Sequence, residues 1–228
     1  MIEFIFMLTH DDATVPDAVA VLEQVKDCGL RYIGFKDIGQ PVETLKEVTT
    51  RAHAAGLEVM LEVVSTSVET ELQSVAAARE IGVDWVLGGT NAERAAPLLH
   101  GSGIRYCPFP GTVVGHPSVL EGDPSAIAAH AAALTARDDV HGVDLLAYRH
   151  RQTDPVALTR EVVAACHGPV IVAGSIVSFE QIQAVAAAGA WGFTIGGAIF
   201  EGLLPGGPAV AAQVQAVLDA CGNATIGS

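Results

Sequence analysis

The stretch from Ile171 to Gly202, IVAGSIVSFEQIQAVAAAGAWGFTIGGAIFEG, decides the fold of this chain. The apolar run Val170–Ala173 predicts a buried parallel strand, because β-branched and small apolar residues dominate strands that are covered on both faces. A helix is predicted to begin after Ser178, which has a capping-box partner three residues later, and to end at Gly189. A second apolar run, Gly192–Ile195, predicts the next buried strand. Two strand–helix units in succession indicate a parallel α/β architecture.

Both of these strands end in a pair of small residues. The pairs are Gly174-Ser175 and Gly196-Gly197. Backbone N–H groups at such turns bind an anion without help from a basic side chain. We therefore predict that these four residues bind a substrate phosphate. The alternative is that the glycines serve only tight turns between strand and helix.

Residues 171–202 resemble the last two βα units of the phosphate-binding TIM barrels, the ribulose-phosphate-binding group that includes the histidine-biosynthesis isomerases and cyclases. The resemblance implies a barrel fold and a phosphorylated ligand at the last two strand ends. It leaves the reaction undetermined, because the other strands match no catalytic signature of the group.

The rest of the chain repeats the same strand–helix pattern and predicts one (β/α)8 TIM barrel with parallel strands over residues 1–228. The predicted strands are Ile2–Leu8, Arg31–Lys36, Glu58–Val64, Asp84–Gly88, Ile104–Cys107, Val143–Tyr148, Val170–Ala173 and Gly192–Ile195. The predicted helices cover residues 16–28, 41–55, 68–81, 91–100, 124–137, 155–167, 179–188 and 207–221. Glycines before the strands are expected to end helices in the left-handed conformation. These are Gly29, Gly56, Gly82, Gly103, Gly142, Gly168 and Gly189.

Composition excludes several classes of protein. Lys and Arg total 12 against 26 Asp and Glu, a formal net charge of −14, which argues against nucleic acid or an anionic membrane as a partner. No apolar run approaches the roughly 20 residues of a membrane span. The N-terminal MIEFIFML carries Glu3 instead of a basic leader, so a soluble cytoplasmic protein is predicted. The four cysteines form no C-x-x-C pair, which indicates reduced thiols rather than a disulfide framework.

Strand parity singles out Lys36 and Glu62 as candidate catalytic residues. Ile33 and Phe35 should face the helices, which turns Lys36 into the barrel at the end of the second strand. The same alternation turns Glu62 inward on the neighbouring third strand. A carboxylate beside an ammonium suits proton abstraction next to a carbonyl, with the cation stabilising the enediolate. The alternative is a structural ion pair of Lys36 with Asp37 or Glu62.

His10 and Asp11 follow the first strand and are candidates for a second acid/base pair. The parity of that strand is ambiguous, so which of the two points inward stays open. The alternative role for these two residues is a metal site, which is not favoured, and no metal ligand is predicted. The resemblance to metal-dependent phosphopentose epimerases fails here, because Lys36-Asp37 stands where their second strand carries paired His and Asp ligands.

Three further residues are predicted to bind substrate at the mouth of the barrel. Thr90 follows the fourth strand, and Arg149 and His150 belong to a cationic cluster after the sixth. In an acidic protein such a cluster attracts an anionic substrate; the alternative is a solvated loop with surface salt bridges. The segment 108–123, rich in Pro and Gly, is either a lid over the site or a rigid surface loop.

These features predict an enzyme that acts on a small phosphorylated metabolite, a sugar phosphate or a similar compound. The predicted enzyme is an isomerase or epimerase that forms an enediolate. The alternatives are a lyase of the aldolase or decarboxylase type and a non-catalytic barrel that binds a phosphorylated metabolite. No dinucleotide fingerprint or other cofactor motif is present in the sequence, and no cofactor is predicted. The sequence leaves the oligomeric state open. Barrels often form homo-oligomers through their helices, but no isolated apolar stripe marks an interface.

Overall fold

The chain folds as alternating strands and helices in a computed structural model that describes residues 1–223; residues 224–228, which the predicted domain also includes, lie outside the described part. The barrel strands are β1 (Glu3–Met7), β2 (Tyr32–Lys36), β3 (Glu58–Val63), β4 (Trp85–Gly88), β5 (Arg105–Cys107), β6 (Val143–Leu145), β7 (Val170–Val172) and β8 (Gly192–Ile195). The helices are α1 (Ala18–Val25), α2 (Val42–Ala54), α3 (Val68–Ile81), α4 (Ala92–Leu99), α5 (Pro124–Thr135), α6 (Pro155–Ala165), α7 (Phe179–Ala187), α8 (Gly197–Phe200) and α9 (Val210–Asn223). None of the helices described is long and apolar enough to cross a membrane.

The eight strands form a single parallel sheet in the order β6-β7-β8-β1-β2-β3-β4-β5. Backbone hydrogen bonds then join the two ends of the sheet. The Asp144 N–H donates to the Pro108 carbonyl at 3.0 Å, and the His141 N–H donates to the Tyr106 carbonyl at 2.8 Å. A parallel sheet that closes on itself inside a ring of helices is a (β/α)8 barrel, and the predicted fold is confirmed.

Alternating side chains divide the core into two layers, as the period of two in a strand requires. One set fills the barrel interior: Ile5, Met7, Tyr32, Met60, Trp85, Leu87, Cys107 and Ile171. The other set, which includes Phe6, Ile33 and Phe35, packs between the strands and the helices. The parity that the sequence left open for the first strand is thereby settled, since Ile5 and Met7 face inward.

The predicted sixth strand, Val143–Tyr148, was too long. The strand ends at Leu145, and a 3-10 turn covers Ala147–Arg149. The Arg149 N–H donates to the Leu146 carbonyl at 3.0 Å, so the chain turns tightly instead of extending. This turn directs Arg149 over the mouth of the barrel.

The segment 108–123 is not an irregular loop. It contains an antiparallel hairpin whose strands are Thr112–Val114 and Val119–Glu121, with Val113 opposite Leu120. The side chain of Leu120 is buried, which anchors the hairpin to the barrel. The hairpin forms within the long predicted connection between β5 and α5, because short apolar runs between glycines suit paired strands.

Five of the seven expected helix-ending glycines adopt positive φ angles: Gly29, Gly56, Gly82, Gly103 and Gly189. Gly142 and Gly168 do not, and the prediction was wrong for these two. A Cβ atom at Gly142 would meet the Pro169 carbonyl, and one at Gly168 would meet the His141 carbonyl. Glycine is therefore required at these two positions because another backbone segment approaches closely. Left-handed geometry is not the reason.

A second small hairpin follows β1 and pairs Thr9 with Thr14 and His10 with Ala13. Thr14 connects this hairpin to the end of β2. Its hydroxyl donates to the Lys36 carbonyl and accepts from the Lys36 N–H, both at 2.9 Å. Gly39 packs against the same residue, because a Cβ atom at Gly39 would lie 2.5 Å from the Thr14 carbonyl oxygen and 2.7 Å from its nitrogen.

Replacing Gly39 with alanine should destabilise the fold more than the same change at Gly29. Both glycines have positive φ, 96° and 87°, but a Cβ at Gly29 meets nothing within 4 Å. Gly29→Ala should therefore lower the free energy of unfolding by only about 1 kcal/mol, the strain of a left-handed alanine. Gly39→Ala should cost about 1–3 kcal/mol more, because backbone must move. Urea denaturation measures both variants, and equal losses of unfolding free energy would contradict the proposed contact.

Candidate active site

A cavity of about 210 Å³ opens at the carboxyl ends of the strands. It is smaller than the roughly 300–1,000 Å³ of pockets for drug-sized ligands. The predicted site residues that line it are His10, Asp11, Lys36, Glu62, Arg149, Gly174, Ser175, Gly196 and Gly197. The structure thus brings together residues from both ends of the chain in one cavity.

Lys36 lies at the base of this cavity and is only 3% exposed. Its Nζ donates a hydrogen bond to Oδ1 of Asp12 and lies 3.7 Å from Oε2 of Glu62. Asp37, which the sequence offered as a structural partner, instead accepts hydrogen bonds from the Val64 N–H and the Ser65 hydroxyl. A buried ammonium is costly unless carboxylates meet it, and Asp12 and Glu62 supply them.

Asp12 is the residue that sequence reasoning missed. It occupies the second position of the two-residue turn between Thr9–His10 and Ala13–Thr14, where Asp11 and Asp12 have φ angles of 48° and 60°. A type I′ hairpin turn requires positive φ at both central residues, and aspartate tolerates that region better than most residues. The Asp-Asp pair between short extended segments was the available signal. This turn places the Asp12 carboxylate in contact with the Lys36 ammonium.

The Asp12 carboxylate bridges two cations. Besides Lys36, Nη2 of Arg149 donates to its Oδ1 at 3.1 Å. Burial alone would raise the pKa of Asp12, but the charges and hydrogen bonds of Lys36 and Arg149 outweigh burial and lower the pKa to about 2. Its Oδ2 has no hydrogen-bond partner within residues 1–223; Nδ1 of His116, on the 108–123 segment, lies 3.5 Å away. Asp12 therefore keeps an acceptor oxygen free.

Asp144 is a second residue that the sequence analysis missed. It stands at the centre of β6, is 0% exposed, and neither carboxylate oxygen has a hydrogen-bond partner in the described part of the chain. Burial raises its pKa well above the usual range, and the charge of Glu62 raises it further against the opposing effect of Lys36 and Arg149. Asp144 is not among the residues that line the cavity. Burial thus favours the neutral form of the Asp144 carboxyl group over the charged form.

Two backbone turns form the opposite wall of the cavity. Gly174 and Ser175 both have positive φ, 77° and 60°. A Cβ atom at Gly174 would meet Nε of Arg149, and one at Gly196 would meet the hydroxyl and carbonyl of Thr9. Neither glycine can carry a side chain without moving its neighbours. Gly197 differs, because a Cβ there would approach only Oε1 of Glu201, at 3.7 Å.

His10 and Asp11 lie at the rim of the cavity. His10 Nε2 lies 3.3 Å from Oε1 of Glu201, and its Nδ1 lies 3.4 Å from Oδ2 of Asp11. The Asp11 side chain is 89% exposed. The first of the two turn residues therefore points to solvent, and Asp12 takes the inward position that the sequence analysis considered for Asp11.

Thr90 and His150 do not reach this cavity. The N–H and hydroxyl of Thr90 donate to the buried carboxylate of Glu71, at 3.0 and 3.3 Å, which fixes the turn before α4. His150 Nε2 lies 2.9 Å from the Gly122 carbonyl and ties the 108–123 segment to the barrel. Each side chain thus contacts a partner within the protein, and the role of both residues as substrate ligands stays a prediction.

No cluster of three or more His, Cys, Asp or Glu side chains within residues 1–223 has a geometry that could hold a metal ion. The carboxylates at the base of the cavity converge on Lys36, whose ammonium occupies the position between Asp12 and Glu62. The chemistry that this cavity can supply from its own residues is therefore proton transfer and charge stabilisation.

Known proteins share the fold of this chain at low sequence identity. Orotidine 5′-phosphate decarboxylase from Pyrococcus horikoshii superposes with a TM-score of 0.67 and 14% identity over 96% of this chain and 98% of that one. The tryptophan synthase alpha chain from Legionella pneumophila gives 0.66 and 14% over 97% and 92%. Monomers derived from dimeric phosphoribosylanthranilate isomerase of Thermotoga maritima give 0.63 and 12% over 98% and 100%.

No protein-family model and no curated protein sequence matches the chain. Identities of 12–14% show a common fold, the TIM barrel, and do not assign an activity. These neighbours include both an isomerase and a decarboxylase. The shared fold therefore leaves the activity of this chain undetermined.

Asp144→Asn should gain stability relative to wild type as the pH rises from about 4, the unfolded pKa of aspartate, towards the raised folded-state pKa. Because the pKa of Asp144 is raised in the folded state, the folded protein holds a proton that the unfolded chain releases, and wild-type stability falls as pH rises towards the folded pKa. Asparagine removes this dependence. The difference in unfolding free energy between variant and wild type should grow by up to about 1.4 kcal/mol per pH unit.

Urea denaturation at a series of pH values measures this difference. Asp12→Asn is the contrasting variant: with its pKa lowered to about 2, Asp12 contributes stability above pH 4 that is lost as pH falls, so removing it should destabilise the protein at neutral pH. A difference for Asp144→Asn that stays constant over the pH range would contradict the assignment of Asp144 as a neutral acid.

Proposed function

We propose that this protein is an enzyme that binds a small phosphorylated metabolite and isomerises or epimerises it through an enediolate. One observation carries the proposal: the glycine turns Gly174-Ser175 and Gly196-Gly197 and the Lys36–Glu62 pair line the same cavity. The fold supports it, because two of its structural neighbours are by name an orotidine 5′-phosphate decarboxylase and a phosphoribosylanthranilate isomerase.

The phosphate is proposed to bind at the two turns through main-chain N–H groups. Gly197 leaves room for a ligand to approach the backbone, since a Cβ there would meet only Oε1 of Glu201, at 3.7 Å. The Ser175 hydroxyl adds a donor on the same wall. A protein with a net charge of −14 repels anions overall, so it needs a local anion-binding site such as these N–H groups.

Glu62 and Lys36 are proposed to carry the chemistry. A Glu62 carboxylate oxygen removes the proton from the carbon next to the substrate carbonyl. The electron pair of that C–H bond moves onto the carbonyl oxygen, where the Lys36 ammonium stabilises the enediolate. For isomerisation, Glu62 returns the proton to the neighbouring carbon, and a second group moves the hydroxyl proton from one substrate oxygen to the other. For epimerisation, a second acid protonates the opposite face of the same carbon. His10, at the rim, is the candidate for a second proton transfer.

A lyase that works through an imine fits this site less well. An amine attacks a carbonyl with its nitrogen lone pair, whereas the Lys36 nitrogen already contacts the carboxylates of Asp12 and Glu62. Lys36 is thus better suited to stabilise an oxyanion than to form a covalent bond. A lyase that proceeds through the same enediolate remains the second candidate.

Gly197→Asp should abolish binding of inorganic phosphate, and Gly197→Ala should retain it within a few-fold. Gly197 has room for a Cβ, so neither change should disturb the fold. Only the aspartate places a negative charge on the wall of the cavity. Isothermal titration calorimetry measures both affinities. Phosphate binding by Gly197→Asp with the wild-type affinity would contradict the proposed phosphate site.

Glu62→Gln should reduce exchange of substrate hydrogen with solvent by 10²–10⁴-fold, the usual contribution of a general base. The readout is deuterium incorporation into dihydroxyacetone phosphate or ribulose 5-phosphate in D₂O, followed by proton NMR. Glu58→Gln is the matched control on the same strand. Glu58 lies at the other end of β3, where its Oε2 accepts from Nε1 of Trp85 at 2.9 Å, and exchange should be unchanged.

Two results would reject this mechanism. One is a Glu62→Gln variant that exchanges as fast as wild type. The other is a wild-type protein that binds phosphate yet exchanges neither compound.

A further inference from the structure

The cations at the base of the cavity are already paired. Of the described residues that line the cavity, Lys36 and Arg149 are the only lysine or arginine. Lys36 contacts both Asp12 and Glu62. Arg149 donates to Oδ1 of Asp12 at 3.1 Å and to the Ser118 carbonyl at 3.3 Å. The lining residues therefore offer no unpaired lysine or arginine to a second anionic group on a ligand.

Carboxylates outnumber lysine and arginine side chains among the residues that line the cavity. Asp12 is ionised at neutral pH, because its pKa is about 2, and its Oδ2 accepts no hydrogen bond from the described residues. Asp11 and Glu201 add carboxylates at the rim. A ligand group at the base of the cavity is thus favoured when it donates hydrogen bonds and disfavoured when it brings negative charge.

We infer that the part of the substrate opposite the phosphate is uncharged and hydroxylated, so that the substrate class is hydroxycarbonyl monophosphates and not phosphorylated carboxylic acids. The inference rests on the proposed function, which supplies the phosphate anchor and the carbonyl. Substrate hydroxyl groups donate to Asp12 and Glu62, and the carbonyl oxygen faces Lys36.

The proposed reaction keeps the charge of the site constant for such a substrate. Proton transfer from carbon to Glu62 neutralises that carboxylate while the substrate oxygen becomes negative. Lys36 therefore faces two anionic groups throughout: Asp12 with Glu62 before the step, and Asp12 with the enediolate oxygen after it. A substrate carboxylate would add a negative charge, and no unpaired lysine or arginine lines the cavity to meet it. Burial of an unpaired charge opposes its binding.

A matched pair of ligands tests this inference by isothermal titration calorimetry. Glycerol 3-phosphate and 3-phosphoglycerate share a three-carbon skeleton and a terminal phosphate, but one ends in a hydroxymethyl group and the other in a carboxylate. Wild-type protein should bind glycerol 3-phosphate at least tenfold more tightly than 3-phosphoglycerate, and more tightly than inorganic phosphate.

Asp12→Asn should reduce this preference at least tenfold by strengthening binding of 3-phosphoglycerate. The change removes the carboxylate that pairs with both Lys36 and Arg149, and asparagine keeps the left-handed turn. Asp11→Asn is the matched control. It removes the same charge from the neighbouring position of the same turn, but its side chain is 89% exposed, so the preference should stay within about threefold of wild type.

The outcomes separate this inference from the proposed function. Phosphate binding combined with equal or tighter binding of 3-phosphoglycerate would overturn the substrate class and leave the phosphate site standing. If Asp12→Asn does not alter the preference for glycerol 3-phosphate, the electrostatic cause of the preference is overturned. If glycerol 3-phosphate binds no better than inorganic phosphate, the base of the cavity does not contact the ligand. If wild-type protein binds none of the three compounds, the proposed function itself is rejected.

Discussion

The site depends on one buried ammonium, that of Lys36. Taking such a charge out of water is costly, and the cost is offset only where carboxylates approach it closely. Asp12 and Glu62 do so from two different elements, the turn after β1 and the strand next to β2. Removal of either carboxylate would leave Lys36 with a single anionic partner. The position of the first hairpin and the register of β2 with β3 are therefore tied to one ion-pair network.

Glycines let the backbone come close enough to build this arrangement. Gly196 lies against Thr9, and Gly174 lies against the Arg149 side chain, so the last two strand ends touch the first hairpin and the turn after β6. A side chain at either position would separate these segments. The same absence of side chains leaves main-chain groups accessible on the cavity wall, which is where we propose that phosphate binds.

Several of these features could be predicted because they depend on local patterns. Alternation along β2 and β3 placed Lys36 and Glu62 inside the barrel, and the structure puts their charged atoms 3.7 Å apart. Alternation failed at β6, where the prediction ran on to Tyr148 and passed over Asp144. A run such as VDLLAY is equally compatible with a longer strand and with a short strand followed by a tight turn. The difference arises where β6 meets β5 to close the barrel.

The sequence by itself determined the class of fold, the inward direction of Lys36 and Glu62 and the two glycine-rich strand ends, because strand period and turn chemistry act over a few residues. Only the tertiary structure decided which groups meet them. Arg149 and Asp12 are 137 positions apart in the chain and come into contact only when the barrel closes. Charge pairing and the protonation of Asp144 follow from that closure, since both depend on burial and on distances that no local pattern encodes.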